Sequence, residues 1–407
     1  MFPRPHVRSY AAAFLMDASA AAAFAAFPFL IFRQMHGDAA MSGIISAFYQ
    51  ATYAATTLAA SRFVSRSANG LRWAYCGAAI FGVFIALFPV APGPALLCVI
   101  AMVSMAGMSV FWPAAWAWIG AEPDPAVRGR RIALYNISWS CGLAVGPLFG
   151  GPLYEIAYWL PFLVGGVFSF MALGLVWSLP HEKTMMADNG TSETHAPDRR
   201  TEAHLHYTWC AVVTGNAFLG AMYYIFPERV EFLAARHSIT LLPFCLNVGS
   251  GLATFGAAIL FAVLASVSSS ARAGVFFWMG WDIRWKYHFG VLAGIQAAAA
   301  LAFAALGITH SLLVMAFACA LVGAVAATSF FAGVTYSLDN PQLKHRRASI
   351  NEGMVGGGGF LGSIAFGLLA HYFGITRAFF VMPAAVGASI LLQAVLYQRG
   401  KRKLRQN

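Results

Sequence analysis

Long apolar runs alternate with short polar breaks from one end of this chain to the other. A membrane-crossing helix needs about 20 apolar residues. On that rule the runs predict twelve helices, near 10–32, 39–61, 71–90, 95–119, 132–154, 158–179, 207–226, 240–265, 287–308, 311–336, 348–372 and 375–397. The longest polar break, His181 to His206, is low in aromatics and reads as a linker. The expected organisation is therefore a six-helix bundle over 1–180, a linker over 181–206, a second six-helix bundle over 207–398 and a basic tail over 399–407. The Ala-rich start, Tyr10 to Phe32, is too long for the apolar core of a signal peptide and contains Asp17, so it is read as the first span.

Inside the fifth run Gly142, Gly146 and Gly150 recur every fourth residue. On a helix they share one face, which lets a neighbouring helix approach closely. Pro147 removes a backbone hydrogen bond and predicts a kink. One ungapped shift carries Arg130, Arg131, Gly142, Gly146, Gly151 and Leu153 onto Arg346, Arg347, Gly358, Gly362, Gly367 and Leu369. The two halves therefore follow one plan in the same orientation, a transporter-like layout.

Charge fixes the expected orientation. Arg4, Arg8, Arg62, Arg66, Arg72, Arg128, Arg130, Arg131, Arg199, Arg200, Arg272, Arg284, Lys286, Lys344, Arg346, Arg347 and the tail fall on one side; Arg33, Arg229, Arg236 and Arg377 fall on the other. The first side is expected to be cytoplasmic, with both termini. The whole chain carries +11, yet only 10% of its residues are charged and 59% are hydrophobic, with mean hydropathy +0.67. Soluble domains carry about 25% charged residues. The basic clusters lie between apolar runs, which argues for a multi-pass protein of the cell membrane and against nucleic acid as a partner. The six cysteines all fall in apolar runs without metal-ligand spacing. No metal or cofactor is expected. Ala271 to Phe289 mixes aromatic and charged residues and reads either as a segment lying in the headgroup region or as an aromatic belt.

Gly142, Gly146, Pro147, Gly150 and Gly151 form a Gly-x-x-x-Gly-Pro-x-x-Gly-Gly pattern. Together with twelve helices, two parallel halves and a central loop, it resembles the major facilitator superfamily and its antiporter motif. That resemblance implies a central cavity lined by helices one, four, seven and ten. It also implies an interface between halves made by helices two, five, eight and eleven, where the glycine face of helix five would lie. The family's loop after helix two usually reads Gly-x-x-x-Asp-Arg-x-Gly-Arg. Here the matching positions are Ser61, Ser65, Arg66, Ala68 and Asn69, and only Arg66 agrees.

Asp17 is the leading site candidate, because a carboxylate inside a span costs about 2.5–3.5 kcal/mol on insertion scales. It can carry a proton, pair with a cation, or rest against a backbone group. Aligning Phe27-Pro28 with Phe226-Pro227 places it opposite Asn216. Trp112, Tyr49, Gln50, Tyr53, Tyr223, Tyr224 and Thr328 are candidates for an aromatic and hydroxyl-bearing lining, with ordinary packing as the alternative for each. Glu352 is expected either to meet Arg66 or Arg131 at an inner gate or to sit on a helix dipole.

No Walker-type Gly-x-x-x-x-Gly-Lys, H-E-x-x-H or nucleophile–base pattern occurs, so an enzyme is not expected. The leading reading is a monomeric secondary transporter of a small solute in the lipid bilayer, coupled to protons and exporting. With no Lys or Arg in helices one, four, seven and ten as bounded above, the solute is expected to be neutral or cationic. A proton-coupled uptake permease, a uniporter, and a non-transporting receptor or assembly factor on the same fold are the alternatives.

Overall fold

Backbone groups in hydrocarbon must be satisfied within their own segment, which restricts long apolar runs to helices. The computed structural model describes residues 5–64, 70–120, 125–180, 199–236, 238–241, 256–338 and 344–406. In the first half, α1 is Pro5–Phe29, extended by a π-helical turn Leu30–Gln34; α2 is Ala39–Val64, α3 Leu71–Ala86, α4 Pro94–Gly120, α5 Pro125–Ile156 and α6 Leu160–Trp177. In the second half, α7 is Arg199–Tyr224, α8 Phe226–Ala235, α9 Ala257–Trp281, α10 Phe289–Leu306, α11 Leu312–Leu338, α12 Lys344–Phe373 and α13 Ile375–Gln406. Helices α7 and α8 are one crossing, broken at Ile225 where Pro227 opens the next turn. Ten spans among the described residues are long and apolar enough to cross a membrane, and α2 and α5 complete the twelve.

The packing repeats. In the first half α1 lies on α5 and α6, α3 on α4 and α6, and α2 on α4; in the second, α7 lies on α12 and α13, α10 on α11 and α13, and α9 on α11. The halves meet through two symmetry-related pairs, α2 with α12 and α5 with α9. With twelve crossings, the start of α1 and the end of α13 lie at one end of the bundle, called the terminal end below; the other is the far end.

One predicted span is displaced. The sequence predicts the eighth span at 240–265, but Thr240 belongs to a far-end loop bridged to Ser311, and the helix runs Ala257–Trp281. Residues 242–255 lie outside the described ones. The sequence reading counts Arg272 among the basic residues of the cytoplasmic loops; the helix instead includes it. The helix stops at Asp282, whose backbone is extended and whose carboxylate accepts the N–H and guanidinium of Arg284 at 2.8–3.0 Å. The aromatic segment 271–289 is thus mostly helix. Trp281 and Phe277 are exposed on its outside, while Trp285 is buried and donates to the Met279 carbonyl at 2.8 Å. The linker reading for 199–206 also gives way to helix, as does the tail, which continues α13 to Gln406.

Candidate functional site

Small residues build the centre. Helix α1 is Ala-rich, and α5 presents its glycines to it. A side-chain carbon added at Gly142 would strike the Phe14 carbonyl, at Gly146 it would come within 2.6 Å of the Ala18 carbonyl, and at Gly150 it would strike the Ala22 carbonyl. Of the motif's four glycines, Gly151 alone faces the other half, against Ala258 and Ala262 of α9. The three-glycine face therefore lies within the first half, and the expectation that it forms the interface between halves is corrected. Spacing identifies a face that admits a close neighbour but not which neighbour arrives. Pro147 is buried within α5.

Asp17 sits on this tight α1 seam, 4% exposed. Its carboxylate feels Tyr135 of α5, Tyr53 of α2 and Arg272 of α9. Among the described residues it accepts no hydrogen bond. Arg272 comes from the opposite half. Its guanidinium lies 5.8 Å from the Trp139 ring centre, its Nε is buried with no hydrogen-bond partner among the described residues, and it interacts electrostatically with Asp17 and Tyr223. The Asp17 and Arg272 side chains sense each other's charge without a direct hydrogen bond or ion pair between them. Ser269, one turn before Arg272, is 3.2 Å from the Tyr223 hydroxyl. The sequence reading missed Arg272, Tyr135, Trp139 and Ser269. The i, i+3, i+7 spacing of Ser269, Arg272 and Phe276 was the available signal, since it marks one helical face.

The other candidates separate. Tyr223 joins the cluster. Trp112 packs edge-on against Phe111 and Tyr135, 6.2 Å from the latter. Tyr49 is fully buried, stacked on Phe24 and edge-on to Tyr224. Gln50 packs its amide on Gly359 of α12. Asn216 turns its amide onto the Val212 carbonyl of its own helix, and its Cβ lies against Gly358. Thr328 likewise bonds back to Ala324. Neither Asn216 nor Thr328 is held against Asp17. Glu352 accepts a hydrogen bond from Tyr53 at 3.1 Å across the α2–α12 interface. It does not pair with Arg131, which lies near Tyr10; Arg66 is outside the described residues.

Among the described residues the two ends of the bundle show different contacts between the halves. At the far end Arg33 binds both Glu231 oxygens at 2.9 Å and Glu155 at 3.0 Å, and Glu155 in turn accepts the Ala258 N–H at 3.2 Å. This ties α1 and α5 to α8 and α9. Asp38 adds a second tie, 2.9 Å from His371 of α12. Towards the terminal end the halves meet through rings: Trp139 is 5.4 Å from Phe276 and 6.2 Å from Phe330.

Comparison with known proteins places this geometry. Residues 10–348 match the family model described as Major Facilitator Superfamily. A relative from Bacillus subtilis (strain 168), an uncharacterized MFS-type transporter YfkF, is 30% identical over 104 residues, covering 25% of this chain and 26% of that protein. The structure superimposes on a POT family transporter in complex with 5-aminolevulinic acid at a TM-score of 0.75, with 12% identity over 98% of this chain and 97% of that one. It also resembles the nucleoside transporter NupG, at a TM-score of 0.69 and 13% identity over 97% of this chain and 99% of that one. A bacterial homolog of the human lysosomal transporter Spinster, inward-facing and occupied, gives 0.69 and 15% over 98% of each. At these identities the structural likenesses speak for the fold alone.

Proposed function

Because the chain belongs to the major facilitator superfamily, and is a membrane transporter of that type, we propose that it moves a small solute by alternating access coupled to protons, in the direction of export. The carrying observation is Asp17, a buried carboxylate on the first helix that shares no hydrogen bond among the described residues and lies between the halves. A group so placed changes its charge and its company when the halves rock. The groups facing it are Tyr53, Tyr135 and Arg272, with Glu352 behind Tyr53. The glycines of the α5 pattern pack directly on the turns around Asp17. The excess of Arg and Lys at the terminal end supports a cytoplasmic position for both termini in the cell membrane. Two ends fastened by separable contacts fit a cycle in which one closes as the other opens.

The expected neutral or cationic solute rests on helices one, four, seven and ten carrying no Lys or Arg; Arg272, on α9, adds a cation beside that lining.

The test is solute-induced proton movement in proteoliposomes under an imposed pH gradient. Wild-type protein is expected to couple the two; Asp17→Asn is expected to fold normally and lose the dependence on pH. Unchanged pH dependence in that variant would make Asp17 structural. Absence of any flux from wild type across a broad solute panel would favour the receptor alternative.

A further inference from the structure

A guanidinium is charged at any accessible pH, and a charge inside a span needs a partner. Among the described residues Arg272 has the Trp139 ring, the Tyr223 hydroxyl region and the separated Asp17 carboxylate. Its Nε is sealed from solvent and unsatisfied, which is costly unless an acceptor arrives. Asp17 on the opposing half is likewise buried, and no described residue donates a hydrogen bond to it. Each half thus contributes one pole, of opposite sign; the two act on each other electrostatically, and among the described residues no hydrogen bond or ion pair joins them.

We propose that Asp17 and Arg272 are the two poles of a binding site for a small amphoteric solute, its ammonium at Asp17 and its anionic group on the Arg272 fork. The location rests on the transport reading above; the charge class does not. A net-neutral solute with both charges satisfies both poles and leaves the closed complex without an unpaired ion. A singly charged solute satisfies one pole and strands the other. Aromatic rings border both poles, Trp139 at 5.8 Å from the guanidinium and Tyr135 near Asp17, and suit a solute whose charges sit on an aromatic or aliphatic body. An arginine fork favours a planar, two-oxygen anion such as carboxylate.

The experiment measures equilibrium binding to the purified full chain in detergent, by thermal unfolding. The probes are the free amino acids and a set of dipeptides, each beside its methyl ester, which is cationic, and its N-acetyl form, which is anionic. A free zwitterion is expected to stabilise wild-type protein, and both blocked forms to bind at least about tenfold more weakly. Arg272→Gln should transfer preference to the ester, Asp17→Asn to the N-acetyl form, and Arg272→Lys should keep the zwitterion preference. If Arg272→Gln does not fold, the wild-type series decides alone. Blocked forms binding as well as free ones, no zwitterion binding, or variants with unchanged preference would overturn the proposal. Pumping of a singly charged solute would leave alternating access standing and remove this inference; zwitterion binding without flux would do the reverse.

Discussion

Arg229 is 5% exposed and directs two donors at the end of α10, Nε to the Leu306 carbonyl at 2.6 Å and Nη2 to the Thr309 carbonyl at 3.3 Å, and a third, Nη1, to the Thr376 hydroxyl of α13 at 3.5 Å. A cation belongs at a helix C-terminus, where carbonyls lack partners and the dipole is negative. Arg229→Met should cost about 2–3 kcal/mol, because buried carbonyls would be left unpaired; unfolding in denaturing detergent measures it. Asp38 gives the pH counterpart. Burial raises its carboxyl, but the Met41 N–H at 2.9 Å and the His371 ring outweigh burial and hold it below the usual carboxylate range. The sign follows. A depressed folded pKa adds stability above the unfolded value and loses it as pH falls through the folded one. Wild type should therefore exceed Asp38→Asn in thermal stability at neutral pH, the gap closing only below about pH 4.

Among elements, α5 shows two different uses of glycine side by side. Gly146 abuts α1 within its own half, whereas Gly151 abuts α9 across the interface. Gly146→Leu should act on folding, costing about 1–3 kcal/mol by overpacking. Gly151→Leu should leave the first half intact and bias the rocking of the halves instead. Thermal unfolding separates from solute flux on this pair: equal stability losses would place both glycines in the same structural role. In the second half the buried pair Gln296 and Gln393 exchanges amide bonds of 3.0 and 2.8 Å between α10 and α13. Each polar side chain there is satisfied by the other, as a buried amide requires.

At the scale of the whole molecule, and among the described residues, ion pairs join the halves at the far end and rings meet between them towards the terminal end. Arg33 is the hub of the far-end closure, contacting carboxylates from both halves at 2.9–3.0 Å. Arg33→Gln would leave Glu155 and Glu231 near each other without their shared cation, and like charges repel. The expected outcome is a population shift towards a form open at the far end. Spin labels at Pro92 and Ile308, one on each half at that end, should report a longer distance in the variant. An unchanged distribution would show that Asp38, His371 and the glycine contacts suffice to hold that end shut.

Crossing number, repeat and an acid worth watching were legible in the chain itself, because each is set locally. A run's length and hydropathy decide whether it can span, the repeat is a comparison of the sequence with itself, and Asp17 stands out against an alanine run. What faces what was not local. Whether Arg272 ends a loop or lies deep in a span depended on where α9 begins and stops, and that was decided by the Asp282–Arg284 turn and the α5 contact. Gly142, Gly146 and Gly150 announced a close neighbour but not its identity. The meeting of Asp17 with Arg272, and of Arg33 with Glu155 and Glu231, joins residues far apart in the chain. Only the packing of one half on the other brings such charges within reach, since Coulomb interactions depend on distance in space rather than along the sequence.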